Sequence, residues 1–261
     1  MKRNFLDVTF LIPVRIDSLI RLENLLLTVR FIKRQFETHI MVLEAAPYPN
    51  GIIQFLLGED IDYMFVQTDD PIYHKTKYLN LLIKKATTNI VSIWDADIII
   101  PYEQMVMAVE SIRINDYDVA YPYDGEFLDT SFILRKHYFI NHDIDFLLAN
   151  KGKMKLLYTF EGIIGAVGGA VFVKREKYVF SGMENEDFYG WGLEDGERHY
   201  RWLGFGFRIY RSSGCLFHLS HPRDINGSFY SETQKMKAYH FLNEVMNYTK
   251  EELIEKFSIQ L

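Results

Sequence analysis

Asp95 and Asp97 are the first residues in the chain whose types and spacing offer chemistry. They sit within the run Ile90 to Pro101, I-V-S-I-W-D-A-D-I-I-I-P. Carboxylates are hard oxygen ligands, and two of them at the end of a buried segment suit Mg2+ or Mn2+ holding a phosphate. The pattern alone is cheap. D-x-D also occurs at Asp60/Asp62, Asp116/Asp118 and Asp143/Asp145, where polar or turn-forming neighbours make solvated loop charges the simplest reading. Only Asp95/Asp97 finishes an apolar run, and taken alone that pair reads equally well as a metal site or as capping charges at a strand end. His218 and His221 follow much later in H-L-S-H. Imidazoles at this spacing are usually surface polarity, but beside a carboxylate they are good ligands for Mn or Zn. Glu194 and Asp195 fall where a helix should begin, and acidic groups there already favour the helix dipole. Just before them Trp191 stands between Gly190 and Gly192, a flexible setting that a core tryptophan rarely occupies.

The elements that must position these residues follow from periodicity. Ile90 to Trp94 is too short for a helix and rich in β-branched and aromatic residues, so it reads as a buried strand that delivers Asp95 and Asp97 at its carboxyl end. Val8 to Val14, Ile40 to Leu43, Tyr63 to Val66 and Val119 to Tyr121 read as further strands. Between them, helices are expected after an Asp17 or Ser18 cap, over Lys77 to Ala86, and from Pro101 to about Ile114. Strands alternating with helices imply a largely parallel sheet covered on its faces, with ligands bound outside the carboxyl ends of the strands. Arg15 lies at the first strand-to-helix junction, which is either a phosphate-binding turn or an ordinary one. Residues 123–155 read as an irregular surface excursion. Gly162 to Val173 is apolar and dense in glycine, a sign of close backbone approach. Phe205 to Tyr210 reads as a late strand. Ser231 with Gln234 and Thr249 with Glu252 read as capping boxes for two C-terminal helices packed back on the sheet.

Composition bounds the function. The 261 residues carry 48% hydrophobic side chains and a formal net charge of −6, enough for one α/β domain with a sizeable core. No block of Lys and Arg supplies the footprint that nucleic acid demands. Cys215 is the single cysteine, which excludes an internal disulfide framework and points to a reducing compartment. No apolar run reaches the roughly 18 to 20 residues needed to span a bilayer. The expectation is a cytoplasmic protein, at most peripheral at the inner face of a membrane.

Several of these segments fall into one known order. The chain resembles the inverting β-1,4-galactosyltransferase family and related bacterial capsule glycosyltransferases of the GT-A fold, from Phe10 to Asp224 with a gap in the middle. I-P-V-R, Ile12 to Arg15, is similar to that family's I-P-x-R nucleotide loop, and Y-H-K-T-K-Y-L-N, Tyr73 to Asn80, to its F-N-R-A-K-L-L-N segment. W-D-A-D, Trp94 to Asp97, stands where the family has its D-x-D. G-G-A (Gly168 to Ala170), S-G-M (Ser181 to Met183) and W-G-L-E-D (Trp191 to Asp195) follow its G-G-V, N-G-F and W-G-G-E-D. Two departures are visible. H-L-S-H replaces M-x-x-H, a second imidazole in place of a thioether, and Leu193 replaces a glycine in the W-G-x-E-D box.

The resemblance implies a GT-A, Rossmann-like mixed sheet flanked by helices over residues 1–230, with 231–261 as a helical extension on the same domain. It implies transfer of a hexose or N-acetylhexosamine from a UDP-sugar to a glycan or lipid-linked oligosaccharide, with inversion, in surface-glycan synthesis. By the same resemblance Asp97, His218 and His221 would hold Mn2+ or Mg2+, and Asp195 would be the catalytic base. Glu194, Trp191, Gly192, Gly168, Gly169 and Ala166 would meet the sugars, and Pro13, Val14, Arg15, Tyr73, Lys77 and Asp95 the nucleotide. The family's galactose enzymes carry a Tyr at the position of Ala166, so the smaller residue is expected to leave room for an N-acetyl group. Two other classes share such a fold. A sugar nucleotidyltransferase would want a glycine- and Arg/Lys-rich triphosphate loop, which F-L-I-P-V-R-I-D lacks, and a non-catalytic carbohydrate-binding protein would have no need of Asp195.

Overall fold

The computed structural model describes residues 2–49, 51–160, 163–223 and 225–258. Gly162 and Asp224, each at the edge of a segment singled out above, lie outside them. The strands are β1 (Arg3–Val14), β2 (Phe36–Ala46), β3 (Asp62–Gln67), β4 (Ile90–Trp94), β5 (Ile98–Ile99), β6 (Val119–Tyr121), β7 (Phe127–Asp129), β8 (Lys155–Leu157), β9 (Thr159–Phe160), β10 (Ile163–Ile164), β11 (Ala170–Lys174), β12 (Ile209–Arg211) and β13 (Leu216–His218). The helices are α1 (Leu19–Gln35), α2 (Ile52–Leu57), α3 (Lys75–Lys85), α4 (Tyr102–Asn115), α5 (Phe132–Asn141), α6 (Ile144–Ala149), α7 (Arg175–Phe180), α8 (Glu194–Phe205), α9 (Glu232–Asn247) and α10 (Lys250–Phe257).

Seven strands form the main sheet in the order β12-β6-β11-β4-β1-β2-β3. The sheet is parallel except at β11, which runs antiparallel to both β4 and β6. Phe10, Trp94 and Phe172 from β1, β4 and β11 meet edge-on or tilted, with centroids 5.2 to 5.9 Å apart, at the middle of the core. Such pairs add to the area that these rings remove from water. A second sheet, β5-β13-β7-β8, stands beside the carboxyl end of β4. It brings β13, with His218, against the strand end that carries Asp97, and the Leu219 amide donates to the Asp97 carbonyl over 2.8 Å.

The local signals explain most boundaries. Ser18 accepts from the Arg21 amide and caps α1, worth about 1 kcal/mol. The helix after Tyr73 begins at Lys75 rather than Lys77 and ends at Lys85. The excursion over 123–155 contains order that its mixed composition hid: β7, then α5 capped by Ser131 and α6 capped by Asp143. Their apolar sides form a separate small core with Ile99, Leu128 and Phe217. The late strand is shorter than expected, because α8 runs on to Phe205 and Gly206 ends it at φ +80. Thr249 and Glu252 form the full capping box, whereas Gln234 turns its side chain away from Ser231 to the Trp191 carbonyl. The C-terminal helices α9 and α10 pack chiefly on α8, so they support the site rather than the sheet. Asp118 also departs from expectation. It is buried and accepts from Lys174 and the Arg208 amide instead of facing solvent.

Candidate active site

The carboxyl ends of β1 and β4 open into a cleft of about 530 Å3. Its lining unites Pro13, Val14, Arg15, Tyr73, Asp95, Asp97, Ala166, Gly168, Gly169, Trp191, Gly192, Glu194, Asp195, His218 and His221. Lys77 does not belong to it. One residue pair further into α3 than Lys75, Lys77 points to solvent, and Lys75 enters the cleft instead.

Asp97, His218 and His221 make one cluster whose ligand atoms all lie within 4.8 Å of one another. Asp97 Oδ2 is 3.0 Å from His221 Nε2 and 3.6 Å from His218 Nε2. His218 gives its other nitrogen, Nδ1, to Asp129 over 2.7 Å, an arrangement that fixes the ring and leaves Nε2 for a ligand. His221 Nδ1 lies 2.7 Å from the Pro222 carbonyl. A carboxylate and two imidazoles, each oriented by a neighbour, fit a divalent cation such as Mn2+. Burial presses the Asp97 carboxyl towards its neutral form, but His218 and His221 outweigh it and hold its pKa well below the ordinary range.

Asp95 is turned away from that cluster. Its Oδ1 pairs with Lys75 Nζ at 2.9 Å, and the same ammonium lies 3.7 Å from Glu194 and 3.8 Å from Asp195. Burial disfavours the Lys75 charge, yet the three carboxylates outweigh it and keep the ammonium protonated. Asp195 is held from the other side by Arg198 Nη2 at 2.6 Å, and Arg198 in turn is clamped by Glu184 at 2.9 Å. Against the burial that would raise it, Lys75 and Arg198 lower the Asp195 pKa, so the group is ionised at neutral pH. Glu194 is different. Burial, reinforced by the charge of Asp195, lifts it to about 7, and its Oε2 accepts the Gly192 amide over 3.1 Å.

The glycine positions have steric reasons. A Cβ on Gly168 would stand 2.5 Å from Asp195 Oδ2, and one on Gly192 would stand 2.7 Å from the Phe229 ring. Gly190 and Gly192 adopt φ +89 and +116, which turns the chain sharply on both sides of Trp191. Leu193, the departure from the glycine of the related box, also takes a left-handed conformation, φ 68, as the N-cap of α8. The Trp191 loop is tied down rather than free: Gln234 Nε2 donates to the Trp191 carbonyl, and the indole meets Phe229 edge-on at 5.4 Å. The S-G-M turn serves α8 as well, since Arg201 donates to the carbonyls of Ser181 and Met183.

At the junction of β1 and α1, Arg15 donates to the carbonyls of Ala45 and Pro71 and lies 5.5 Å from the Tyr73 ring. One Arg15 nitrogen, Nη2, and the Tyr73 hydroxyl are buried with no hydrogen-bond partner, two polar atoms in want of a ligand. Sequence reasoning missed Lys75, Arg198 and Asp129. Lys75 sits at the Arg of the related F-N-R-A-K-L-L-N segment, the signal that could have located it; Asp129 lay in the stretch without periodicity.

This arrangement can be compared with solved structures. The Drosophila β1,4-galactosyltransferase 7 catalytic domain in complex with xylobiose superimposes with a TM-score of 0.55 at 17% identity, over 91% of this chain and 79% of that one. Glucosyl-3-phosphoglycerate synthase from Mycobacterium tuberculosis, in complex with Mn2+, UDP and phosphoglyceric acid, gives 0.55 at 13% identity, over 92% and 78%. S. aureus TarS 1-349 gives 0.56 at 12% identity, over 97% and 68%. The chain has the GT-A fold. No family model matches it, and no curated protein matches it by sequence. At these identities the likeness speaks for the GT-A architecture, and activity must be argued from the cleft.

Proposed function

We propose that the protein is a metal-dependent glycosyltransferase that moves a hexose or N-acetylhexosamine from a UDP-sugar to a carbohydrate hydroxyl, with inversion at the anomeric carbon. One observation carries the reading: a carboxylate–imidazole cluster fit for a cation and an ionised, clamped Asp195 line the same cleft. The neighbours with bound Mn2+ and UDP, and a variant of the Drosophila enzyme in complex with manganese, UDP-Gal and xylobiose, support the same choice of donor class.

In this reading Asp97, His218 and His221 hold Mn2+ or Mg2+, which offsets the charge of the departing diphosphate when bound. Tyr73 and Arg15 offer their unpartnered polar atoms to the nucleotide. Asp195 takes the proton of the acceptor hydroxyl as its oxygen attacks the anomeric carbon, and the bond from that carbon to UDP breaks in the same displacement. Lys75 and Arg198 keep Asp195 in the form that can accept a proton. Glu194 hydrogen-bonds an acceptor hydroxyl, and Trp191 stacks on sugar. Replacement of Asp195 by Asn should lower transfer by roughly a hundredfold to ten-thousandfold while UDP-sugar still binds with Mn2+. Unchanged transfer would remove Asp195 from the mechanism, and a protein that only binds carbohydrate would be indifferent to the change.

The donor preference follows from Ala166, whose short side chain lines the cleft. UDP-GalNAc or UDP-GlcNAc should turn over at least as well as UDP-Gal, and Ala166→Tyr should favour UDP-Gal. Strict selectivity of the native enzyme for UDP-Gal sinks this assignment. No helix among the described residues is long and apolar enough to cross a membrane. We place the enzyme in surface-glycan assembly, working from the cytoplasm or the inner face of a membrane, on the strength of its resemblance to capsule glycosyltransferases.

A further inference from the structure

The clamp on Asp195 leads back to a carboxylate that never reaches the cleft. Glu184 stands in the segment between α7 and α8, is 3% exposed and does not line the cavity. Its backbone is pinned by Asn80 of α3, whose side chain accepts from the Glu184 amide and donates to the Glu184 carbonyl, both over 2.9 Å. The Tyr178 hydroxyl donates to Glu184 Oε1 over 2.6 Å. Both carboxylate oxygens then accept from Arg198 Nη1 at 2.9 Å, and Arg198 Nη2 reaches Asp195 Oδ1 at 2.6 Å. One buried guanidinium therefore spans two carboxylates, Glu184 behind the cleft and Asp195 within it, with the Trp202 ring 5.3 Å away.

Packing alone does not call for this charge, because a buried ion pair often stabilises no better than apolar side chains of similar volume. Nor is it needed to hold the preceding turn to α8. Arg201 already does that, pairing with Glu197 of the same helix at 2.8 Å and donating to the carbonyls of Ser181 and Met183. The consequence of Glu184 lies at Asp195. Without it, the forked guanidinium of Arg198 would be free to close on Asp195 with both nitrogens and draw it from the cleft. A carboxylate under the whole charge of Arg198, as well as that of Lys75, would also be a poor proton acceptor. We propose that Glu184 is a positioning residue for transfer: it fixes Arg198 and shares its charge, so that Asp195 stays in the cleft and able to take a proton. This rests on Asp195 being the base, while the hold of Glu184 on Arg198 does not depend on catalysis.

The test uses Glu184→Gln, which keeps an acceptor for Tyr178 and Arg198 and removes the charge. Glu194 reports the change in the ligand-free chain. It is faced by Asp195, Lys75 and Asp95, and only Asp195 is tied to Arg198. When Arg198 turns its whole charge to Asp195, less repulsion reaches Glu194, so its midpoint, followed by carbon NMR of the carboxyl, should fall from about 7 to about 6. Glu197→Gln removes another buried carboxylate, one held by Arg201, and should leave the midpoint at about 7. In the same variant set, UDP release from UDP-GalNAc with Mn2+ and water as acceptor should drop roughly tenfold in kcat for Glu184→Gln, with KM unchanged, a smaller loss than for Asp195→Asn. Glu184→Asp, which retains the charge, should stay closer to the native protein in both readouts. A Glu194 midpoint that does not move in Glu184→Gln, one that moves equally in Glu197→Gln, or an unchanged kcat overturns the proposal. Normal turnover by Asp195→Asn would mark the base assignment as the part that fails, because the NMR comparison still decides the link from Glu184 to Asp195.

Discussion

At the scale of single residues, the site is a balance of charges around Lys75. One ammonium serves Asp95, Glu194 and Asp195, and it cannot neutralise all three. Asp195 has Arg198 as a second cation, whereas Glu194 has none of its own, and burial, reinforced by the charge of Asp195, lifts its pKa from the usual 4.5 to about 7. The sign of its effect on stability follows. Below pH 4.5 the group is protonated in both folded and unfolded chains and costs nothing. Between pH 4.5 and 7 the unfolded chain ionises while the folded group stays protonated, so stability falls across that window and is level above it. The full cost above pH 7 is roughly 3 kcal/mol, each pKa unit being worth about 1.4 kcal/mol. Glu194→Gln keeps an acceptor for the Gly192 amide and removes the charge. The ligand-free variant should therefore melt higher than the native protein at pH 8, with a smaller gain at pH 5. An equal gain at both pH values would mean that the carboxylate is not under this strain, and transfer should fall in the variant if Glu194 binds acceptor.

At the scale of elements, the glycine loop before β11 and the amino end of α8 are fitted to each other. Gly168 is not in a left-handed conformation, so alanine can adopt its backbone, and the only obstacle is Asp195 Oδ2 at 2.5 Å from the new Cβ. Gly168→Ala should leave the melting temperature nearly unchanged but displace the Asp195 carboxylate, and if Asp195 is the base as proposed, a shift of about 1 Å is enough to cost roughly a hundredfold in rate. Gly152→Ala is the matched control, because a Cβ there meets nothing within 4 Å. Full activity in Gly168→Ala would show that the position of Asp195 is not critical. This fit was half legible in the sequence. The strand ending at Trp94, the acidic start of α8 and the dense glycines could each be read from pattern, since burial and backbone freedom leave local marks. Their contact could not, because Gly168 and Asp195 meet through tertiary packing. The same holds for Lys75: two lysines within one turn look alike in sequence, and only the start of α3 decides which faces the cleft. Asp129 was hidden for another reason. β7 has three residues, too few to show a period, and it is held in place by β13 and β8 rather than by its own composition.

At the scale of the whole molecule, the cluster of Asp97, His218 and His221 joins parts that fold from distant sequence. Asp97 comes from the end of β4 in the main sheet, His218 from β13 in the small sheet, and His221 from the segment that follows. Arg21 of α1 approaches His221 Nδ1 at 3.4 Å, so the first helix also touches the cluster. A cation bound there, together with UDP lying across β1 and α3, would tie the two sheets in the native state and bind little to the unfolded chain. Ligand at a hundred times its dissociation constant stabilises by about 2.7 kcal/mol. For a chain of this size each kcal/mol moves the melting temperature by roughly 2 to 4 °C, so Mn2+ with UDP should raise it by about 5 to 11 °C. Chelation should reverse the rise. Asp97→Ala should abolish it, and Lys77→Ala, outside the cleft, should not. A rise that persists in Asp97→Ala would place the cation elsewhere, whereas no rise in the native protein would break the link between this cluster and a nucleotide donor.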